Sequence, residues 1–194
     1  MPKVFYDDMI FCFSDEEDIY EPREDSYLLA DVLVNILKKE QFNSIIDIGT
    51  GCGFLACIAK KNSENSKVFA SDINKNAIKV ALSNSSKNKL KINFILSDLF
   101  EAISGKFDLI VFNPPYLKKE DKKIKGSQNW EDNNVILRFL KQAKLHLNPH
   151  GKILILLSSL SDEKNFKEME KRFKVKLLAS RKIPWEELYV FELE

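Results

Sequence analysis

"IIDIGTGCGFLACIAKK" (Ile45–Lys61) begins as a β-branched strand, turns on glycines at every second position, and runs on as a helix. Strand, glycine turn and helix in immediate succession form the unit from which parallel α/β sheets are built. Working outward, short β-branched runs alternate with helical patterns from residue 44 onward. The expected strands are "SIIDI" (Ser44–Ile48), "KVFASD" (Lys67–Asp72), "INFILSD" (Ile92–Asp98), "DLIVFN" (Asp108–Asn113) and "KILILLS" (Lys152–Ser158). Several are apolar almost throughout, the pattern of strands covered by helices on both faces.

Helices are expected over Phe54–Lys61, Lys75–Ser85, Asn134–Leu147 and Asp162–Arg172, the last with Ser161 as its N-cap. "NPHG" (Asn148–Gly151) should stop the third of these. Ahead of the sheet, Glu24–Lys39 reads as an amphipathic helix with an acidic start and lysines at its end, which suits the helix dipole. It is expected to cap the sheet's edge. "VKLLAS" (Val175–Ser180) and "LYVFEL" (Leu188–Leu193) lie too close in sequence for a crossover helix, so they should pair antiparallel. The expected fold is α/β: a seven-stranded, mostly parallel sheet with an antiparallel last strand and helices on both faces, in one domain over residues 1–194.

Composition narrows the function classes. With 30 Lys+Arg against 29 Asp+Glu the formal charge is +1, whereas a chain built to hold a phosphate backbone is plainly basic, so nucleic acid is not a favoured partner. Cys12, Cys52 and Cys57 are odd in number and show no CxxC spacing, which points away from a disulfide framework and from a zinc site. No stretch approaches the roughly 20 apolar residues that span a bilayer, and the acidic "DDMIFCFSDEED" lacks the basic start of a signal peptide. A cytoplasmic protein without a membrane partner is expected.

The glycine turn spaces its residues Gly49-x-Gly51-x-Gly53, which is neither the GxGxxG of dinucleotide enzymes nor a P-loop. Asp47 stands just before it, where a carboxylate would repel a pyrophosphate and attract a cation. S-adenosylmethionine carries an ammonium and a sulfonium, and it fits. Asp72, at the end of the next strand, can accept hydrogen bonds from both hydroxyls of a ribose, and Asp98 ends the strand after that, in reach of an adenine amino group. Each acid alone is an ordinary cap or turn residue. Together, beside a glycine loop, they outline a nucleoside crevice.

"DLIVFNPPYLKK" (Asp108–Lys119) places Asn113, Pro114, Pro115 and Tyr116 at the carboxyl edge of the same sheet. The prolines stiffen the loop and remove two backbone donors, leaving a platform of acceptors. A planar NH₂ could give one proton to the Asn113 side-chain oxygen and the other to the Pro114 carbonyl, with Tyr116 stacked on its face. Such a clamp works by positioning and electrostatics and needs no nucleophilic side chain.

The motifs "DIGTGCG", "SDIN" (Ser71–Asn74), "SDL" (Ser97–Leu99) and "FNPPY" (Phe112–Tyr116) resemble those of the class I, Rossmann-like S-adenosylmethionine-dependent methyltransferases. Within them the chain is similar to the HemK-type enzymes that methylate a glutamine of class 1 release factors. "YEPREDSYLL" (Tyr20–Leu29) resembles the short archaeal and eukaryotic branch, and "SRKIPWEELYVFEL" (Ser180–Leu193) resembles the family's ending. The resemblance implies donor contacts at Ser26, Asp47, Gly49, Gly51, Asp72, Ile73, Asp98, Leu99 and Asn113. It implies an acceptor site of Asn113, Pro114, Pro115 and Tyr116, with Asn113, Pro114 and Tyr116 catalytic. The products would be N-methylglutamine and S-adenosylhomocysteine, and a small zinc-binding activator subunit is an implied partner beside the release factor. "GSQNWEDNNVILRF" (Gly126–Phe139) keeps Trp130 but lacks the glycines that the family carries there.

Other residues receive structural readings. His146 and His150 lack a carboxylate partner in sequence and suggest no metal site. Cys52 reads as packing, the lysine run Lys118–Lys125 as a solvated loop, and Pro184 with Trp185 as cover for a sheet edge. Competing functions are a nucleic-acid amino-methyltransferase using the same platform, a protein lysine methyltransferase, and a binding protein that kept the fold without turnover.

Overall fold

The computed structural model describes residues 3–13, 19–116 and 135–194. Along the chain come a hairpin, β1 (Lys3–Tyr6) and β2 (Met9–Cys12), and then helix α1 (Glu24–Leu37). Strands and helices follow in alternation: β3 (Ser44–Ile48), α2 (Phe54–Asn62), β4 (Lys67–Asp72), α3 (Lys75–Lys87) and β5 (Asn93–Leu96). The second half holds β6 (Phe107–Phe112), α4 (Val135–Ala143), β7 (Leu147–Ser158), α5 (Glu163–Arg172), β8 (Val175–Ile183) and β9 (Glu186–Leu193). Among the described residues no helix is long and apolar enough to cross a membrane.

The seven-stranded sheet has the order β5-β4-β3-β6-β7-β9-β8, with β9 antiparallel to both neighbours and the other pairs parallel. From β3 the chain builds outward through β4 to β5, then returns to place β6 on the opposite side of β3. Order reverses between β3 and β6, and that reversal opens a crevice at the strands' carboxyl ends. Side-chain alternation divides the core in two. Ile45, Val68, Leu109, Leu154 and Val190 face one way, under α1, α2 and α3, whereas Ile46, Ile48, Ile110, Phe112 and Ile155 face α4 and α5. Helices therefore cover both faces, as the apolar strands required.

Several local expectations are corrected. Helix α1 does not cap the edge; it lies across the face formed by β7, β9 and β8 and against α2. Its buried positions, from Leu28 and Leu29 through Val32, Leu33, Ile36 and Leu37, need a broad apolar surface that an edge strand cannot supply. The N-cap of α5 is Asp162, whose side chain accepts from the Lys164 N–H at 2.9 Å, while Ser161 Oγ accepts from the Ser158 N–H at 3.0 Å. Helix α4 ends at Ala143, passes through a 3₁₀ turn at Lys144–His146, and "NPHG" lies within β7. Leu147 already pairs with Phe107, and a register shift before Leu109 absorbs the interruption, with His150 at φ 65°. Trp185 does not pack over the sheet edge among the described residues, being 87% exposed.

The hairpin has no counterpart in the sequence reading. Asn84 of α3 and its C-cap Asn88 hold β2 as a neighbouring strand would. Asn88 exchanges hydrogen bonds with the N–H and C=O of Ile10 at 3.1 and 2.9 Å. Asn84, fully buried one turn earlier, does the same for Cys12 at 3.0 and 2.8 Å, and also donates to the Cys52 carbonyl at 2.9 Å. The match works because one helical turn rises about 5.4 Å, close to the repeat of two strand residues. The lysine run 118–125, Trp130 and the segment 126–134 lie outside the described residues.

Candidate active site

The ends of β3, β4 and β5 are stitched together by their backbones. The Thr50 N–H donates to the Ser71 carbonyl at 2.8 Å, and the Ser97 N–H donates to the Asp72 carbonyl at 2.9 Å. Asp72 fixes the glycine loop from the side: its Oδ2 accepts from the Gly51 N–H and its Oδ1 from the Asn74 N–H, both at 2.8 Å. Two glycines have distinct physical reasons. A Cβ on Gly53 (φ 84°) would sit 2.9 Å from the Ala81 Cβ, so its absence lets the start of α2 close on α3. A Cβ on Gly51 (φ 54°) would meet nothing within 4 Å, so that face of the loop is open to a ligand.

Asp47 is buried beneath this loop. Its Oδ2 accepts from Thr50 Oγ1 at 2.6 Å, while its Oδ1 has no partner among the described residues; the Ser71 hydroxyl is likewise buried and unpaired. Burial pushes the Asp47 carboxyl up to about 7, opposed by the Thr50 hydroxyl and the Ala56 backbone N–H and reinforced by the Asp72 charge. Burial also raises Asp72, against the backbone N–H bonds that favour its charge. A buried acid with a spare oxygen beside an open loop suits a cationic ligand carrying N–H donors, and S-adenosylmethionine meets that description.

On the other side of the crevice, Asn113 follows β6 directly, and its amide orientation is fixed. Its Nδ2 donates to Asp25 Oδ2 at 3.0 Å and to Ser26 Oγ at 3.2 Å, both from the first turn of α1. Asn113 Oδ1 is left buried without a partner among the described residues. Asp25 is itself held, accepting at Oδ1 from the Tyr20 hydroxyl at 2.8 Å and from the Ser26 N–H at 2.6 Å. Glu186, at the start of β9, has its Oε2 buried without a partner among the described residues. Burial raises the Tyr116 phenol well above its ordinary value, with the charges of Asp25, Glu186 and Glu24 adding to it. The two halves of the crevice touch where a Cβ on Gly49 would lie 3.5 Å from the Phe112 ring.

The remaining candidates are arranged less directly. Ile73 is exposed next to Asp72, and Leu99 is buried with φ 47°. Asp98 is paired with Arg138 of α4 at 2.7 Å. Cys52 is buried and burial pushes its thiol up to about 12, which suits packing. His146 stacks on Phe100 with ring centroids 4.4 Å apart and bonds the Gly105 carbonyl through Nδ1 at 3.0 Å.

Residues 29–182 match the methyltransferase small domain family. The chain belongs to that family. It is an S-adenosylmethionine-dependent methyltransferase of the HemK type. A candidate protein N5-glutamine methyltransferase of Methanocaldococcus jannaschii is 42% identical over 182 residues, covering 89% of this chain and 90% of that one. The release factor glutamine methyltransferase of Borreliella burgdorferi is 32% identical and is matched over 87% of this chain and 68% of its own. The E. cuniculi Mtq2-Trm112 complex, described as methylating the eRF1 translation termination factor, superposes with TM-score 0.66 at 25% identity, over 91% of this chain and 98% of that chain.

For this methyltransferase, the residues that sequence reasoning missed are Tyr20 and Asp25. Both stand inside "YEPREDSYLL" without a role, because the group they hold lies far away in sequence: the Asn113–Asp25 bond spans 88 residues. The one usable signal was an Asp beside Ser26 in a helix's first turn, which an N-terminal dipole preference explains equally well.

Proposed function

We propose that this methyltransferase transfers the methyl of S-adenosylmethionine to the side-chain amide nitrogen of a protein glutamine, in the Gly-Gly-Gln loop of a class 1 release factor. The observation that carries the reading is the fixed orientation of Asn113. With both of its N–H groups turned toward Asp25 and Ser26, its unpaired Oδ1 is left as an acceptor for an incoming N–H. An orphaned buried acceptor costs roughly 1–3 kcal/mol, which an acceptor's N–H would recover on binding. The Pro114 carbonyl takes the second proton of the planar NH₂, and the Tyr116 ring covers its face.

Asp47, Asp72 and the open side of Gly51 would hold the donor, with Ser26, Gly49, Ile73, Asp98 and Leu99 around it. When bound, the donor supplies an electrophilic methyl on a cationic sulfur. The chain's own residues orient the amide nitrogen and stabilise the positive charge that develops there. The charges of Asp25, Glu186 and Glu24 all act on Tyr116. The +1 formal charge of the whole chain gives little hold on a phosphodiester backbone, which supports a protein acceptor over nucleic acid. By analogy with the two-protein E. cuniculi assembly, a small activator subunit is the expected partner.

Transfer of labelled methyl from the donor tests the reading with three acceptors in parallel: a release factor, the same factor with its loop glutamine replaced, and duplex DNA. Label confined to the first is expected. Label on DNA, or equal label on both proteins, overturns the glutamine assignment.

A further inference from the structure

The loop between β3 and α2 turns on glycines at positive φ, which leaves its backbone soft unless neighbours hold it. Asp72 holds it from β4 at the Gly51 N–H. A second hold comes from α3, where Nδ2 of the fully buried Asn84 donates to the Cys52 carbonyl at 2.9 Å. That carbonyl belongs to the peptide joining Cys52 to Gly53, so the bond fixes the plane in which the loop enters α2. The rest of the same amide serves the hairpin: Nδ2 also donates to the Cys12 carbonyl at 2.8 Å, and Oδ1 accepts from the Cys12 N–H at 3.0 Å. A planar amide holds its two protons at a fixed angle, so one side chain sets β2 and the glycine loop relative to each other. Ring contacts repeat the link. Phe54, which follows Gly53, meets Phe11 of β2 edge-on with centroids 5.0 Å apart and Tyr6 of β1 at 5.4 Å. Tyr27, beside Ser26, meets the same ring at 5.6 Å.

We propose that Asn84 is a positioning residue for the methyl donor: by tying the Cys52 carbonyl to β2, it makes the hairpin a working part of the donor site. The inference rests on the glycine loop holding the donor. Asn84 acts through the backbone of Cys52 and touches no reacting group. The hairpin itself lies ahead of residues 29–182, which match the family. Detaching β2 releases the loop, and by reciprocity a bound donor resists the detachment of β2.

Asn88 supplies the control, because it grips Ile10 of the same strand and makes no bond to the glycine loop among the described residues. Asn84→Ala is expected to raise the calorimetric Kd for S-adenosylhomocysteine about tenfold, the size of one well-made hydrogen bond, whereas Asn88→Ala should stay within about twofold of the parent. Both variants should melt earlier, so the difference in Kd, and not in stability, carries the test. A second readout uses the unaltered protein and stands whether or not Asn84→Ala folds. Saturating S-adenosylhomocysteine should slow amide exchange at the Cys12 N–H about tenfold more than at the Asp108 N–H, which donates to Ser44 Oγ near the amino end of β6. Equal slowing at the two amides overturns the proposal, as does a parent-like Kd in Asn84→Ala or a tenfold loss shared by Asn88→Ala. Asp72→Ala separates the two levels. An unchanged Kd there removes the loop as the donor site, whereas a weakened Kd there beside a parent-like Asn84→Ala removes only the role of Asn84.

Discussion

The donor half of the crevice and the acceptor half are built on opposite plans. Asp47, Gly49, Gly51 and Gly53 lie in one short run, and Asp72 closes on Gly51 from the neighbouring strand. Its parts are held chiefly by backbone. The acceptor half draws Tyr20 and Asp25 from around the start of α1 and Asn113 and Tyr116 from beyond β6. There, side chain holds side chain. A backbone-built site is set by turn geometry and is sensitive to added volume, while a side-chain-built site is sensitive to single functional groups.

The largest effect should come from the acceptor half. Asn113→Ala removes the orphaned acceptor and its anchors together, and transfer is expected to fall by at least about a hundredfold, with donor Kd changing by no more than a few-fold. Single-turnover methyl transfer beside calorimetric donor binding reads both, and a matched loss of donor binding would move Asn113 into the donor half. Asp25→Ala should follow, with transfer down by about tenfold or more. It leaves the Tyr20 hydroxyl without its partner and the Asn113 amide held by Ser26 alone, so that Asn113 is freer to turn over. Retained transfer in that variant would show that Asn113 keeps its orientation unaided.

A third effect separates the halves by pH. Burial raises Asp47 to about 7, so in the donor-free protein it takes up a proton as pH falls through that value. A cationic donor needs the carboxylate, and its Kd should therefore weaken about tenfold from pH 8 to pH 6, while Asp47→Asn binds weakly with a flat profile. The sign for folding is opposite: a raised acid favours the folded state while protonated, and that share of stability is lost as pH rises through about 7 in the absence of donor. Calorimetry across this range decides it, and an unchanged Kd would leave Asp47 outside the donor contacts. The smallest effect is on stability. Gly53→Ala drives a methyl into Ala81 at a positive φ and should cost about 1–3 kcal/mol, lowering the melting temperature by roughly 2–12 °C. Adding Ala81→Gly should return part of that loss.

The same contrast decides what could be read in advance. Strands β3 and β4 have the bounds expected from their apolar runs, and β6 and the last antiparallel pair lie within a few residues of theirs. Continuous apolar sequence at strand length leaves few alternatives. The donor acids were legible because they sit at strand ends beside glycines. Position within a local unit was enough. Asp25 was not legible, since nothing in "REDS" states which residue it will meet at the end of β6. Ser161 and Asp162 are both competent caps, and only the turn after Ser158 decides between them. The hairpin escaped notice because two four-residue strands around Asp7 and Asp8 carry little periodicity, and the amides that secure them lie on α3.

Those amides have a consequence for how the molecule meets others of its kind. A two-stranded hairpin ordinarily leaves outward N–H and C=O groups on both strands, and such an edge can recruit a foreign strand. Asn84 and Asn88 consume those of Ile10 and Cys12, so the β2 edge is filled before another chain arrives. Replacing both asparagines with leucine would return a sticky edge to a protein whose hairpin presents Phe5 and Ile10 to water.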